Sequence, residues 1–173
     1  MARPQLTNAA KPATYDVEAY NERGEMVPTS IAGEHPLTLY LDKREIVTLM
    51  TLGHAPEALA IGYLRNQRLL DRVEDIVAVQ VDWDVGAVVV KTRHGLADLE
   101  AKTKKRTTTS GCGQGTVFGD LMAEIESVRL PAGATLAQST LYALLDRVRL
   151  HETIYKQAGA VHGCALATNE PGR

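Results

Sequence analysis

Apolar residues fall in short, β-prone runs through the middle of the chain and predict a sheet there. Leu37–Leu41 and Ile46–Met50 flank a charged four-residue turn, which is the pattern of a β-hairpin. Ile76–Val81 and Ala87–Thr92 are two further strand candidates, joined through the short segment Asp82–Gly86. We therefore expect the strands of this region to form the core of the protein.

Two other stretches carry apolar residues at helical spacing. The first helix is predicted to begin at Pro56, because proline suits the first helical position, where its missing N–H would be unpaired anyway. The second is predicted from a capping-box pattern at Thr135–Gln138 to about Lys156, with Gly159 ending it.

The two ends of the chain differ from the middle in their pattern of apolar and polar residues. Residues 1–30 are polar, contain three prolines and show no periodicity, so we expect a flexible N-terminal arm followed by one domain over 31–173. Residues 160–168 predict a buried strand with Cys164 in the core, and 169–172 predict a turn. A sheet that stopped after this turn would expose an unpaired edge, so we expect the domain to lack its C-terminal part.

Composition excludes several classes of protein. The formal net charge of -2 gives no general attraction to nucleic acid or to an anionic membrane. Two cysteines are too few for a disulfide framework, and neither a secretory signal nor a run of about 18 apolar residues is present. The sequence therefore predicts a reduced, cytoplasmic protein.

The segment most suggestive of chemistry surrounds Cys112. Glycines alternate with other residues on both sides of it, at Gly111, Gly113 and Gly115, and three threonines, Ser110 and a basic run precede it. A thiol reacts as the thiolate, and nearby cations and glycine-loop N–H groups stabilise that anion and lower the pKa of the thiol. These are the conditions for a reactive cysteine. The alternative is an ordinary glycine-rich turn with an inert cysteine.

Other candidate sites are weaker. The glycines around Cys112 match neither the phosphate-binding loop of nucleotide hydrolases nor the dinucleotide-binding fingerprint. His162 and Cys164 would share one face of a strand, but a metal site would need further ligands, and the zinc-deaminase motifs are absent. We expect no metal, and His162 either reaches a functional site or is a structural histidine.

Several stretches in a fixed order resemble one family. They are Ala32–Leu37, Thr51–Leu64, Thr108–Gly113 and Gly159–His162. The set is similar to the formate dehydrogenase accessory sulfurtransferases, the FdhD family. The resemblance implies an α/β fold like that of cytidine deaminases without their zinc, in which a mixed sheet is flanked by helices.

The resemblance also implies a function. Such proteins take sulfur from a cysteine desulfurase as a cysteine persulfide and pass it to the molybdenum bis-guanine dinucleotide cofactor of formate dehydrogenase. The sulfur carrier would be Cys112, the cofactor is the bound acceptor, and Gly111, Gly113, Gly115 and His162 are the expected cofactor-binding residues. Partners would be the desulfurase and formate dehydrogenase, without nucleic acid or membrane, and a homodimer is consistent with the family.

Two departures from the family leave alternatives open. Many members have a second cysteine in the loop, and Gly115 occupies its place here, so a relay through one persulfide is expected rather than a two-thiol mechanism. Family members are also longer. The alternative functions are a non-catalytic cofactor chaperone or docking module, and an inactive truncated fragment.

Overall fold

A computed structural model describes residues 3–93, 95, 106–109, 115–118, 127–151 and 153–168. The chain divides into two compact units, unit 1 with residues 1–12 and 33–127, and unit 2 with residues 13–32 and 128–173. The strands, in chain order, are β1 Gln5–Leu6, β2 Thr14–Tyr20, β3 Met26–Ala32, β4 His35–Leu41, β5 Arg44–Thr51, β6 Ile76–Asp82, β7 Ala87–Thr92, β8 Arg106–Thr109 and β9 Gly115–Phe118. The α-helices are α1 Pro56–Asn66, α2 Gln138–His151 and α3 Thr153–Ala158.

Unit 1 contains a five-stranded mixed sheet in the order β1-β6-β7-β4-β5. The β1–β6 and β4–β7 pairs are parallel, whereas β4–β5 and β6–β7 are antiparallel. Strand β7 is therefore the centre of the sheet. The four strands predicted from the apolar runs are all present, and the α/β class with a mixed sheet and helices is confirmed. The likeness to cytidine deaminases stays a prediction.

The core of unit 1 lies between the sheet and α1. Alternate residues of β4 point to the same face, so Leu37, Leu39 and Leu41 are all buried there. Helix α1 packs against β6 and β7 and buries Ala60 and Leu64. The rest of the buried cluster is aliphatic: Ile46, Val47, Leu69, Leu70, Ile76, Val79, Val81, Val88 and Val90.

Local chemistry explains the boundaries of these elements. Pro56 is the first residue of α1, as predicted. The turn between β4 and β5 is shorter than the four residues predicted, because Arg44 and Glu45 already pair with β4. Asp42 in this turn has a φ of 54°, and its carboxylate accepts hydrogen bonds from Thr92 N (2.8 Å) and Thr92 Oγ1 (2.9 Å). One aspartate thus closes the hairpin and fixes the end of β7.

Unit 2 contains a hairpin where a flexible arm was expected. Strands β2 and β3 pair antiparallel from Thr14 opposite Ala32 to Tyr20 opposite Met26. Contrary to the expected lack of periodicity, Tyr15, Val17 and Ala19 alternate with charged residues at period two. This signal covers only three apolar positions, and none of them is buried in the structure. The expectation of an irregular arm does not describe these strands, and the division at residue 31 stays a prediction.

Two predictions for unit 2 are wrong. Helix α2 begins at Gln138, so Thr135 lies too far upstream to cap it as the capping-box pattern required. Residues 161–168 form no strand, and Leu166 is fully exposed, with a relative exposure of 103%. A strand needs a partner for its backbone N–H and C=O groups, and none of the described strands pairs with this segment.

The buried face of β4 gives a test of the fold. Leu39 is 0% exposed at the centre of the core, whereas Met50 is about half exposed at the sheet edge. We expect Leu39→Ala to lower the free energy of unfolding by about 2–5 kcal/mol, because it loses apolar burial and leaves a cavity. Met50→Ala is the matched control and should change it by less than about 1 kcal/mol. Urea denaturation followed by circular dichroism measures both, and equal effects would contradict the assigned core.

Candidate functional site

The structure holds the two ends of the cysteine-bearing loop beside each other. Strands β8 and β9 pair antiparallel, with Arg106 opposite Phe118 and Thr109 opposite Gly115. The five residues 110–114 join these strands, and Cys112 is the middle one. The predicted site residues Gly111, Cys112 and Gly113 therefore lie outside the described residues.

Gly115 and His162 are the predicted site residues that the structure does describe. Gly115 is the first residue of β9, in unit 1, and its backbone pairs with Thr109. His162 is exposed in the irregular segment of unit 2. A role of Gly115 and His162 in binding the cofactor stays a prediction, as does the placement of His162 near the loop.

Cys164 is not the core residue that the sequence predicted. It is an exposed free thiol. Together with Val148, His151 and Leu166 it lines a cavity of about 320 Å³ within unit 2. The prediction failed because it depended on residues 160–168 forming a buried strand. The second cysteine of the chain is therefore accessible to reagents, which makes it an internal reference for the reactivity of Cys112.

A second cluster of polar and aromatic side chains lies in unit 1. The rings of His35 and Trp83 have centroids 5.5 Å apart, and Lys11 Nζ lies 4.7 Å from the centre of the Trp83 ring. Gly53 is buried beneath them with a φ of 72°, and a Cβ there would lie 3.0 Å from Lys11 Cβ. Trp83, in the segment that joins β6 and β7, is half-buried and packs against the core. The cluster is thus an ordered part of the fold.

Metal binding and membrane insertion were also considered from the sequence, and the described residues support neither. Among them no group of three or more His, Cys, Asp or Glu side chains is placed to hold a metal ion. Within the same part of the chain, every helix is too short or too polar to cross a membrane. The loop that carries Cys112 remains the candidate functional site.

Comparison with known proteins identifies the family. The model of the FdhD/NarQ family matches residues 32–172, which is most of the chain. The chain belongs to this family. The match includes the β8–β9 hairpin and the loop that joins its strands, so the family resemblance seen in the sequence motifs is confirmed.

Several curated relatives carry the same name, sulfur carrier protein FdhD. The protein from Wolinella succinogenes is 23% identical over 133 residues, which cover 77% of this chain and 46% of that protein. The Listeria monocytogenes protein is 25% identical over 146 residues, covering 83% and 56%, and the Bacillus subtilis protein is 27% identical over 161 residues, covering 91% and 61%. The chain thus spans about half the length of the curated relatives it matches.

One solved structure is also similar to this chain. A protein from Desulfotalea psychrophila, described as a formate dehydrogenase accessory protein, aligns with a TM-score of 0.43 at 18% identity. The alignment covers 58% of this chain and 44% of that protein.

The two cysteines allow the reactivity of the loop to be tested. We expect Cys112 to be alkylated by iodoacetamide faster than Cys164 at neutral pH, because glycine-loop N–H groups and neighbouring cations favour its thiolate. Cys164 is itself exposed, so a difference in rate would not simply reflect burial of the reference thiol. The single-thiol variants Cys112→Ser and Cys164→Ser, followed by mass spectrometry, separate the two rates. Equal slow rates would contradict an activated Cys112.

Proposed function

We propose that this chain is a sulfur carrier for the maturation of formate dehydrogenase and that Cys112 carries the sulfur. The observation that carries this proposal is the family match over residues 32–172, together with curated relatives named sulfur carrier protein FdhD. Within the matched region, the chain places a cysteine between alternating glycines in the connection of β8 and β9. A sulfur carrier needs an accessible thiol, and glycines on both sides of Cys112 would leave its sulfur open to a partner.

The loading step follows from the chemistry of persulfides. The Cys112 thiolate attacks the terminal sulfur of a persulfide on a cysteine desulfurase, and a new S–S bond forms at Cys112. The S–S bond of the donor breaks, and the desulfurase cysteine leaves as a thiolate. No net oxidation or reduction occurs, because one persulfide is exchanged for another. A single thiol on the carrier is sufficient for this step, which agrees with a glycine at position 115.

The delivery step uses the same S–S bond. The acceptor is the molybdenum bis-guanine dinucleotide cofactor that is later inserted into formate dehydrogenase. This cofactor is a substrate of the carrier and is not a permanently bound cofactor of it. The acceptor supplies the electron pair that breaks the S–S bond and takes the terminal sulfur, and Cys112 leaves as a thiolate. Gly111, Gly113 and Gly115 would allow donor and acceptor to approach the sulfur closely, since glycine adds no side chain there. We further propose that these steps occur in the cytoplasm.

A sulfur-loading assay tests the proposal. The 173-residue chain is incubated with a cysteine desulfurase and cysteine, and its intact mass is measured without reductant. We expect the mass of the wild type and of Cys164→Ser to increase by one sulfur atom, and that of Cys112→Ser to stay unchanged. These two variants each remove one thiol, so they are matched controls for each other.

The outcomes distinguish the alternatives. Sulfur on Cys164 instead of Cys112 would contradict the assigned carrier. Retained binding of desulfurase and cofactor by a chain that takes up no sulfur would favour the non-catalytic docking module. A chain that shows no cooperative melting by circular dichroism and takes up no sulfur would favour the inactive fragment.

A further inference from the structure

Residues 7–11 form a strap across the outer edge of the unit 1 sheet. Thr7 N donates to Val79 O (3.2 Å), and Thr7 Oγ1 lies 3.2 Å from the same oxygen. Val81 N donates to Thr7 Oγ1 at 3.0 Å. A single threonine therefore occupies the backbone groups of β6 that would otherwise be available at the sheet edge.

The other end of the strap is held by side chains beneath it. Ala9 N donates to Glu57 Oε1 (2.9 Å), and Ala9 O accepts from Trp83 Nε1 (2.6 Å). Lys11 N donates to Gly53 O at 2.8 Å, and the Lys11 ammonium lies over the Trp83 ring. Glu57 is a buried carboxylate, 7% exposed, in the first turn of α1. The strap is therefore attached at defined points on β6, on α1 and on the loop that precedes α1.

Ala9 packs against the core of unit 1, and the other contacts that hold the strap are polar. None of its five residues is buried, and only Ala9 and Lys11 are half-buried. Val79 and Val81 of β6 are buried in the core. Segments with few buried apolar contacts and solvent-accessible hydrogen bonds open locally at a lower free energy than the core. Short edge pairing has the same consequence, and β1, just before the strap, pairs with β6 over only two residues.

We propose that the strap is a conformational device that opens as a unit while the rest of the sheet stays folded, with Thr7 and Glu57 holding it closed. Opening frees Val79 C=O and Val81 N–H at the edge of β6. The closed strap thus keeps Val79 C=O and Val81 N–H paired, and the open strap leaves both groups to solvent.

Amide hydrogen exchange of the full 173-residue chain, resolved residue by residue by NMR, tests the proposal. We expect the Ala9 and Lys11 amides to exchange about a hundredfold faster than the Val88 and Val90 amides of the central strand β7. Thr7→Val removes the hydroxyl at nearly constant volume and should accelerate exchange at Ala9 and Lys11 about tenfold, with β7 unchanged.

Thr7→Ser keeps the hydroxyl and is the matched control, so it should exchange at close to the wild-type rates. Glu57→Gln gives a second variant at the other end of the strap and should accelerate exchange at Ala9. Strap amides that exchange in step with those of β7 in the wild type would overturn the proposal. So would an equal acceleration of strap and β7 amides in Thr7→Val, because the strap would then be an integral part of the sheet.

Discussion

The packing of α1 against one face of the mixed sheet is the interaction on which unit 1 depends. Leu37, Leu39 and Leu41 of β4 contribute to one aliphatic cluster with Ala60 and Leu64 of α1. Because β7 lies between β4 and β6, its residues Val88 and Val90 are buried in the same cluster. Apolar burial of this kind is the dominant favourable term in folding, and it fixes the register of the strands. Unit 1 thus forms an ordered framework around this aliphatic cluster.

Unit 2 is held together by less apolar burial than unit 1. The structure finds no buried residue in α2 or α3, and large apolar side chains such as Leu141, Leu145 and Leu150 remain exposed. The order of unit 2 therefore rests more on the β2–β3 hairpin and on the packing of α3 against it. The apolar segment at 161–168 remains irregular, because apolar composition alone does not form a strand. Its residues have the composition of a buried strand, but no described strand pairs with it.

The sequence predicted unit 1 well because its strands and α1 carry strong local signals. Apolar runs bounded by turns marked β4 to β7, and a proline marked the first residue of α1. The strap and the contact between His35 and Trp83 could not be predicted in this way. They join residues that are far apart in the chain, such as Ala9 and Glu57 at a separation of 48 positions, and they depend on the three-dimensional arrangement of the sheet. Cys164 was misplaced because composition alone does not tell whether a strand finds a partner.

The candidate site was predicted from residue types, and the role of Cys112 stays a prediction. Alternating glycines around Cys112 and the ordered motifs led to the sulfur-carrier hypothesis, and the structure shows that Thr109 and Gly115, on either side of this segment in the sequence, pair with each other. The most direct test is a chase with radioactive sulfur. The chain is loaded through a desulfurase, freed of the enzyme, and mixed with the molybdenum bis-guanine dinucleotide cofactor. The account predicts that the label leaves Cys112 and appears on the cofactor, and a label that never enters Cys112, or never leaves it for the cofactor, would contradict it.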